Sequence, residues 1–293
     1  MSLQIPTAMV KQYHDSVEML VQQEGSVLRG TVREESQQSE EQFWEQIGPT
    51  AAVKIMNRHG DSPQVDSAHD RRAVSLEFFD WGDFVDKIDR VRILITPDGA
   101  YAKNAAYALG REIDVSILAG LFGNARTDKT GSTLVALPAS SKVAINFGGT
   151  NVGLTIAKLV EARRIMKRAN VQLKREELYA ALGASQEADL LNTTEVTSAD
   201  YNSVKALVRG DVDTFLGMTF NHTELIPVST STNRFVPVYC KSGLLTAISP
   251  DIGTEIVQRW DKRGSWYVYA GPMGVGSVRM QETKVIQIDC VDV

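Results

Sequence analysis

The stretch NRHGDSPQVDSAHDRRAVS, residues 57–75, limits what this chain can become more than any other part of it. It holds two histidines, three aspartates, three arginines and one proline among small polar residues. Strand-like segments flank it. FWEQIGPTAAVKIM precedes it, and in AVSLEFFDW the residues Val74, Leu76 and Phe78 alternate with Ser75, Glu77 and Phe79, the period of two that lets a strand bury one face. Gly60, Asp61 and Pro63 supply turn chemistry between the two segments. The pattern predicts a long β-hairpin with a tip too polar to enter a core. A lone two-stranded hairpin is marginal in water. It must lie on something, and a partner subunit is the economical support.

The rest of the chain is ordinary in bulk. Its 293 residues suggest one or two domains, with 43% apolar and 23% charged residues as in a soluble globular protein. No apolar run approaches the roughly 20 residues that span a bilayer. The start, MSLQIPTAMVKQYHDSVEML, lacks a basic segment followed by an apolar one, so no secretory leader is expected. Cys240 and Cys290 stand in separate apolar contexts without metal-ligand spacing. A disulfide framework is not expected, and a reducing cytoplasm is. The formal net charge is −5, and residues 1–48 carry eight acids against three bases. The acidic excess therefore sits in an N-terminal arm and the remainder balances. No basic patch for nucleic acid is present.

Hydrophobic periodicity predicts the elements. Val10, Tyr13, Val17, Leu20 and Val21 form a helical stripe ended by Gly25, followed by the polar arm RGTVREESQQSEEQ. The strongest helix signal is TPDGAYAKNAAYALGREIDVSILAGLFGNA. Thr96 or Asp98 caps it, Pro97 suits a first helical position, and Gly123-Asn124 stops it. Tyr101, Ala105, Ala108 or Leu109, Ile113, Ile117 and Leu121 fall on one face. A second helix is predicted in TNVGLTIAKLVEARRIMKRANV, capped by Thr150 or Asn151, with short helices at SQEADLL and TSADYNSVKALVRGD. TFLGMTFNHTELIP, RFVPVYCKSGLLTAIS, SWYVYAG and TKVIQIDCVDV read as strands, with GPMGVGSVRM as a turn or bulge between the last two. Helices and strands mix without βαβ alternation, which predicts an α+β fold.

The residues point to no chemistry. His59 and His69 could join Asp61, Asp66 or Asp70 around a metal, but the spacing fits no compact motif, and Arg58, Arg71 and Arg72 would repel a cation. GLFGNARTDKTGS lacks the glycine before lysine that a phosphate-binding loop needs, and no Gly-x-Ser-x-Gly elbow appears. His14 and His222 are isolated; Asp83, Asp86 and Asp89, with Lys87 and Arg90, read as a solvated helical face. No catalytic residue, metal or cofactor is expected.

Taken in order, EQIGPTAAVK, RHGDSPQVDSAHDRR, FFDWGDFVDKIDRVR and LITPDGAYAKNAAYALGREID resemble the major capsid proteins of tailed phages, more narrowly the phage capsid protein family of podophages and related prophages. The specific motifs lie in residues 17–137; the C-terminal half matches in order and pattern only, ending in KVIQIDC. The resemblance implies a Hong Kong 97 type capsid fold. It implies an N-terminal arm over 1–48, an extended hairpin (the E-loop) over 49–83, and a peripheral (P) domain with a long spine helix over 84–132. An axial (A) domain would follow over 133–253, and 254–293 would return to the P-domain sheet. It also implies a non-enzymatic subunit of pentamers and hexamers, closing an icosahedral shell around double-stranded DNA that is touched non-specifically at most. Portal protein, and scaffolding or decoration proteins, would be its partners, with assembly in the bacterial cytoplasm and no membrane. Arg58, Asp61, Asp70, Arg71 and Arg72, at the hairpin tip, are the candidates for intersubunit pairs. Some proteins of this fold crosslink lysine to asparagine. Lys54 near the loop does not license that here, and no crosslink is expected. An encapsulin-like bacterial compartment is the alternative within the same fold, and a His59/His69 metalloenzyme the alternative outside it.

Overall fold

The computed structural model describes residues 21–54, 56, 60–85, 98–149, 152–192, 214–230 and 233–292. In chain order the elements are β1 (Arg33–Glu35), β2 (Glu41–Ile47), β3 (His69–Ser75), β4 (Glu77–Val85), α1 (Asp98–Phe122), β5 (Ala125–Thr127), β6 (Thr133–Val135), β7 (Lys142–Val143), α2 (Ile156–Arg168), β8 (Leu178–Leu182), α3 (Ala184–Leu191), β9 (Thr214–Phe215), β10 (Met218–His222), β11 (Val228–Thr230), β12 (Asn233–Cys240), β13 (Leu244–Ile248), β14 (Thr254–Arg259), β15 (Ser265–Arg279) and β16 (Val285–Val291). The mixed α+β class expected from the sequence is the class observed. Two compact units divide the chain. One gathers the described parts of Met1–Ser26, Phe78–Glu112 and Pro250–Gly274; the other gathers Val27–Glu77, Ile113–Ser249 and Val275–Val293.

The larger unit is built on a seven-stranded sheet, ordered β7-β16-β12-β8-β10-β9 with β11 beside β12. Alternation fixes its faces. Val236, Val238 and Cys240 of β12 and Ile286, Ile288 and Cys290 of β16 point to one side, where Leu159, Ala162 and Met166 of α2 close over them. Both thiols lie in that core, and burial pushes each up to about 12. On β12 the intervening Tyr239 is fully buried, and its hydroxyl lies 2.6 Å from Thr31 Oγ1. Thr31 donates its single proton to the Leu28 carbonyl, so Tyr239 is the donor between the two hydroxyls. Asp114 of α1 accepts the backbone N–H groups of Val27 and Leu28 at 2.9 and 3.0 Å. The arm that precedes β1 is thereby fastened, and β1 runs parallel to β13.

α1 occupies the 25 residues that its proline and glycine signals mark out. Ala105, Leu109, Ile113, Ile117 and Leu121 are all buried, the spacing that brings one helical face to a core. In α2 the cap is Thr155, whose hydroxyl accepts from the Lys158 N–H, rather than Thr150 or Asn151. The helix therefore starts later than expected, and its buried stripe is Lys158, Leu159, Ala162 and Met166. Val160 is exposed.

The sequence of the glycine-rich GPMGVGSVRM suggests a turn or bulge. Residues 271–279 are instead the second half of the 15-residue β15, pairing with β13 from Ile248↔Val275 to Leu244↔Arg279. A Cβ on Gly276 would stand 2.2 Å from the Ser75 carbonyl. Its glycine answers close backbone approach, not a turn. The expected helical face GDFVDKIDR begins in strand: Asp83 belongs to β4, while Asp86 and Asp89 lie outside the described residues. The expected helices at 10–21 and in TSADYNSVKALVRGD lie outside them too, except Val21 at the edge of the first.

Candidate assembly surface

β2 and β3 form an antiparallel ladder from Glu41↔Ser75 to Ile47↔His69, extended by Gly48 N–H donating to Ala68 O at 2.7 Å. The hairpin's first strand is therefore EQFWEQI, which covers the front of the strand-like FWEQIGPTAAVKIM but not its second half; residues 49–54 carry no strand. β5 and β6 add to β3 to give a four-stranded sheet. Distal to the ladder, every described residue from 49 to 68 is exposed to solvent. Apolar side chains are among them: Val53, Val65 and, at 84% exposure, Met56, with Ile47 exposed at the end of the ladder. Scattered apolar exposure is ordinary. Here these side chains stand on a segment without secondary structure, where they are open to contact with another surface.

The root of this arm is held by charge. Arg72 is 5% exposed. Its Nη2 lies 2.9 Å from Glu282 Oε1 and 3.8 Å from Asp70 Oδ2. Glu282 also sits 3.9 Å from Arg279 Nε. Arg279 is fully buried and donates to the carbonyls of Leu121 and Gly123 at the end of α1 and of Val135 in β6, at 2.8 to 2.9 Å. Burial lowers its pKa, Glu282 opposes that shift and Arg72 adds to it. Asp70 accepts the Thr127 hydroxyl at 2.5 Å. That bond, the Arg71 N–H and the Arg72 charge hold its carboxyl below the usual range, against desolvation. Gln37 completes the root, donating to Ser39 and Glu40 carbonyls at 2.6 and 3.0 Å.

Asp70, Arg71 and Arg72 therefore belong to the strand at the hairpin's base, and not to its tip. The sequence supplied their charges without their partners. Arg71 pairs across the ladder with Glu45 at 3.1 Å and covers the Phe43 ring at 5.7 Å. Asp61 is exposed in the distal segment, and Arg58 lies outside the described residues. Sequence reasoning missed Glu45, Thr127, Arg279 and Glu282. Only Glu45 carries a local signal, since it lies in the strand-like FWEQIGPTAAVKIM, but without the register its partner Arg71 cannot be read and it counts as one more acid of the arm. His69 opens β3, exposed; His59 lies outside the described residues. Among the described residues no group of three or more His, Cys, Asp or Glu side chains could hold a metal ion, and no helix is long and apolar enough to cross a membrane.

The root of the hairpin is thus held by ion pairs, and the described residues of its distal segment are open to solvent. The chain belongs to the phage capsid protein family, whose sequence model matches residues 5–292. Its function is that of a major capsid protein of a tailed bacteriophage, a structural subunit that self-associates into the shell of the virion. The fold is similar to the capsid structure of the cyanophage P-SCSP1u, with a TM-score of 0.74 and 12% identity over 98% of this chain and 94% of that one. It is also similar to the acid-stable capsid of Helicobacter pylori bacteriophage KHP30 (0.73, 10%, 99% and 97%) and to the capsid of cyanophage Pam1 (0.70, 12%, 97% and 97%). No curated protein sequence matches the chain. The family and these folds favour a phage shell over the encapsulin-like compartment.

Proposed function

We propose that copies of this chain form pentamers and hexamers that close into an icosahedral shell around double-stranded DNA, each hairpin arm reaching over an adjacent subunit. The observation that carries this reading is the exposed distal segment of the β2–β3 hairpin, with Ile47, Val53, Met56 and Val65 facing solvent on an arm rooted by buried ion pairs. Many modest contacts repeated by symmetry then stabilise the shell. In the Hong Kong 97 type plan, the arm ends near Glu40, where the β2 ladder begins, and not at Gly48. Residues 41–75 are the E-loop hairpin, α1 the spine of the P-domain, the seven-stranded sheet with α2 and α3 the A-domain, and β14–β15 the P-domain return. Arg58 and Asp61 supply intersubunit pairs at the rim, where charge sets orientation more than affinity. Arg71 remains half-exposed at the hairpin's base. Arg72 and Asp70 act from the root by fixing the arm. The subunit carries no enzymatic activity, assembles in the bacterial cytoplasm, and meets portal and scaffolding or decoration proteins there.

Size-exclusion chromatography with negative-stain electron microscopy of the protein, expressed alone and with its phage's other head proteins, tests this. Closed shells or capsomer-sized rings are expected. A protein that stays monomeric under both conditions refutes the reading.

A further inference from the structure

The motif FFDWGDFV, which drew attention as an aromatic and acidic run, forms most of β4 and pairs with the first half of β15. That half of β15 pairs on with β14, through Glu255↔Tyr269, Val257↔Tyr267 and Arg259↔Ser265. Directly opposed residues share a face. Gly82 belongs to that face as well, because a Cβ there would strike the Tyr267 hydroxyl at 2.0 Å, and alternation along β4 places Phe78, Asp80 and Phe84 with it. Phe84 stacks on Tyr267 at 4.5 Å between centroids, and Tyr267 on Tyr269 at 6.0 Å. Phe78 and Phe84 are nevertheless half or more exposed, and Val257 is exposed. Among the described residues, Asp80 and Glu255 are the carboxylates of this aromatic face, and both are exposed.

The turn between β14 and β15 has the complementary chemistry. Trp260 is 79% exposed there. Arg259 is neutralised by Asp261 at 2.9 Å, which leaves Lys262 and Arg263 as the excess charge of the turn. Both faces of β14 are exposed along most of its length, so the two-stranded arm presents its tip outward. An exposed tryptophan beside two cations is the composition of a contact hot spot. Tyrosine faces flanked by carboxylates are what such a group would meet, by ring packing and by cation–π contact.

We propose that the β14–β15 turn of one subunit docks on the acidic aromatic face of a second copy, Trp260 packing against the Phe84–Tyr267 stack while Lys262 and Arg263 meet Asp80 and Glu255. The contact is head-to-tail, with different patches on the two copies, which is the type that closes rings. It rests on the shell reading and adds to it a subunit contact separate from the β2–β3 arm. The charge complementarity lies within one sequence, and this selects a copy of the chain as the occupant.

Charge reversal tests it. One variant reverses the tip (Lys262→Glu with Arg263→Asp, since residue 263 has φ 54° and aspartate tolerates that left-handed backbone). A second reverses the face (Asp80→Lys with Glu255→Lys), and a third combines all four changes. All are compared with wild type, together with the phage's other head proteins, by electron microscopy and sedimentation, with far-UV circular dichroism and melting temperature confirming the fold. Each two-residue reversal is expected to keep the fold and lose closed shells, and the combined variant to recover them. Trp260→Ala is expected to lose shells without a change in melting temperature. If wild type assembles and the tip reversal assembles to the same yield, or if the folded combined variant stays unassembled, the inference is overturned while the shell reading stands. If wild type itself never assembles, the shell reading falls and the inference with it.

Discussion

Among the described residues, Glu282 is the one carboxylate within ion-pair reach of both buried arginines at the arm's root, so replacing it by glutamine distinguishes a buried root from a generic surface ion pair. Its side chain is 22% exposed and that of Arg72 only 6%, so water screens the pair poorly. Breaking a buried pair from one side costs about 3–5 kcal/mol, because the remaining charge is left uncompensated. In Glu282→Gln, Arg72 keeps only Asp70 at 3.8 Å, and Arg279 keeps its carbonyl acceptors but no counter-charge. For a domain of this size each kcal/mol shifts the melting temperature by about 2–4 °C, so a drop on the order of 10 °C is expected. Arg72→Met should cost less than Glu282→Gln. It removes the cation that depresses Arg279 and leaves Glu282 to pair with Arg279. Differential scanning calorimetry on unassembled subunits measures both. If the two variants lose equal stability, or if Glu282→Gln melts within about 2 °C of wild type, the charge bookkeeping of the root is wrong.

Three further outcomes follow from the same geometry. Gly276→Ala places a methyl 2.2 Å from the Ser75 carbonyl, and backbone cannot move aside as a side chain can; a loss of about 1–3 kcal/mol or more is expected by overpacking, read as a lower melting temperature. Asp70 has a folded pKa below its ordinary 3.8, so its bond to Thr127 stabilises the fold above that pH and the contribution is lost as pH falls below it; Thr127→Val should raise the midpoint pH of acid unfolding, and an unchanged midpoint would show that the bond adds nothing. Cys240 and Cys290 are free and buried, with thiols pushed up to about 12; native protein should react with a thiol reagent at neither residue, and denatured protein at both.

The long helix and the C-terminal strands were legible because their signals are local. Pro97 and Gly123 bracket α1, and its apolar residues recur at the helical period. The seven-stranded core follows from simple alternation in RFVPVYC and KVIQIDC. The hairpin was legible as a hairpin, but its ladder sits upstream of where it was expected. FWEQI is strand-like in the sequence, but Glu41 and Glu45 look like surplus charge of an arm running to residue 48, and their partners Arg126 and Arg71 come into view only in the folded ladder. The root was not legible at all. Arg72 looks like a surface charge beside Arg71, and the carboxylate that makes its burial tolerable is 210 positions away. GPMGVGSVRM failed for the same reason: Gly276 is dictated by Ser75 crossing over it, a contact that no local propensity encodes. Trp260 carried no sequence signal as a contact residue, since only its exposure on the turn distinguishes it from a core tryptophan.

A cryo-electron microscopy reconstruction of the assembled particles shows whether the hairpin arm of one subunit rests on its neighbour. A closed icosahedral shell is expected, with Val53, Met56 and Val65 buried against an adjacent subunit. A shell in which those three side chains remain in solvent, or fold back on their own subunit, would contradict it.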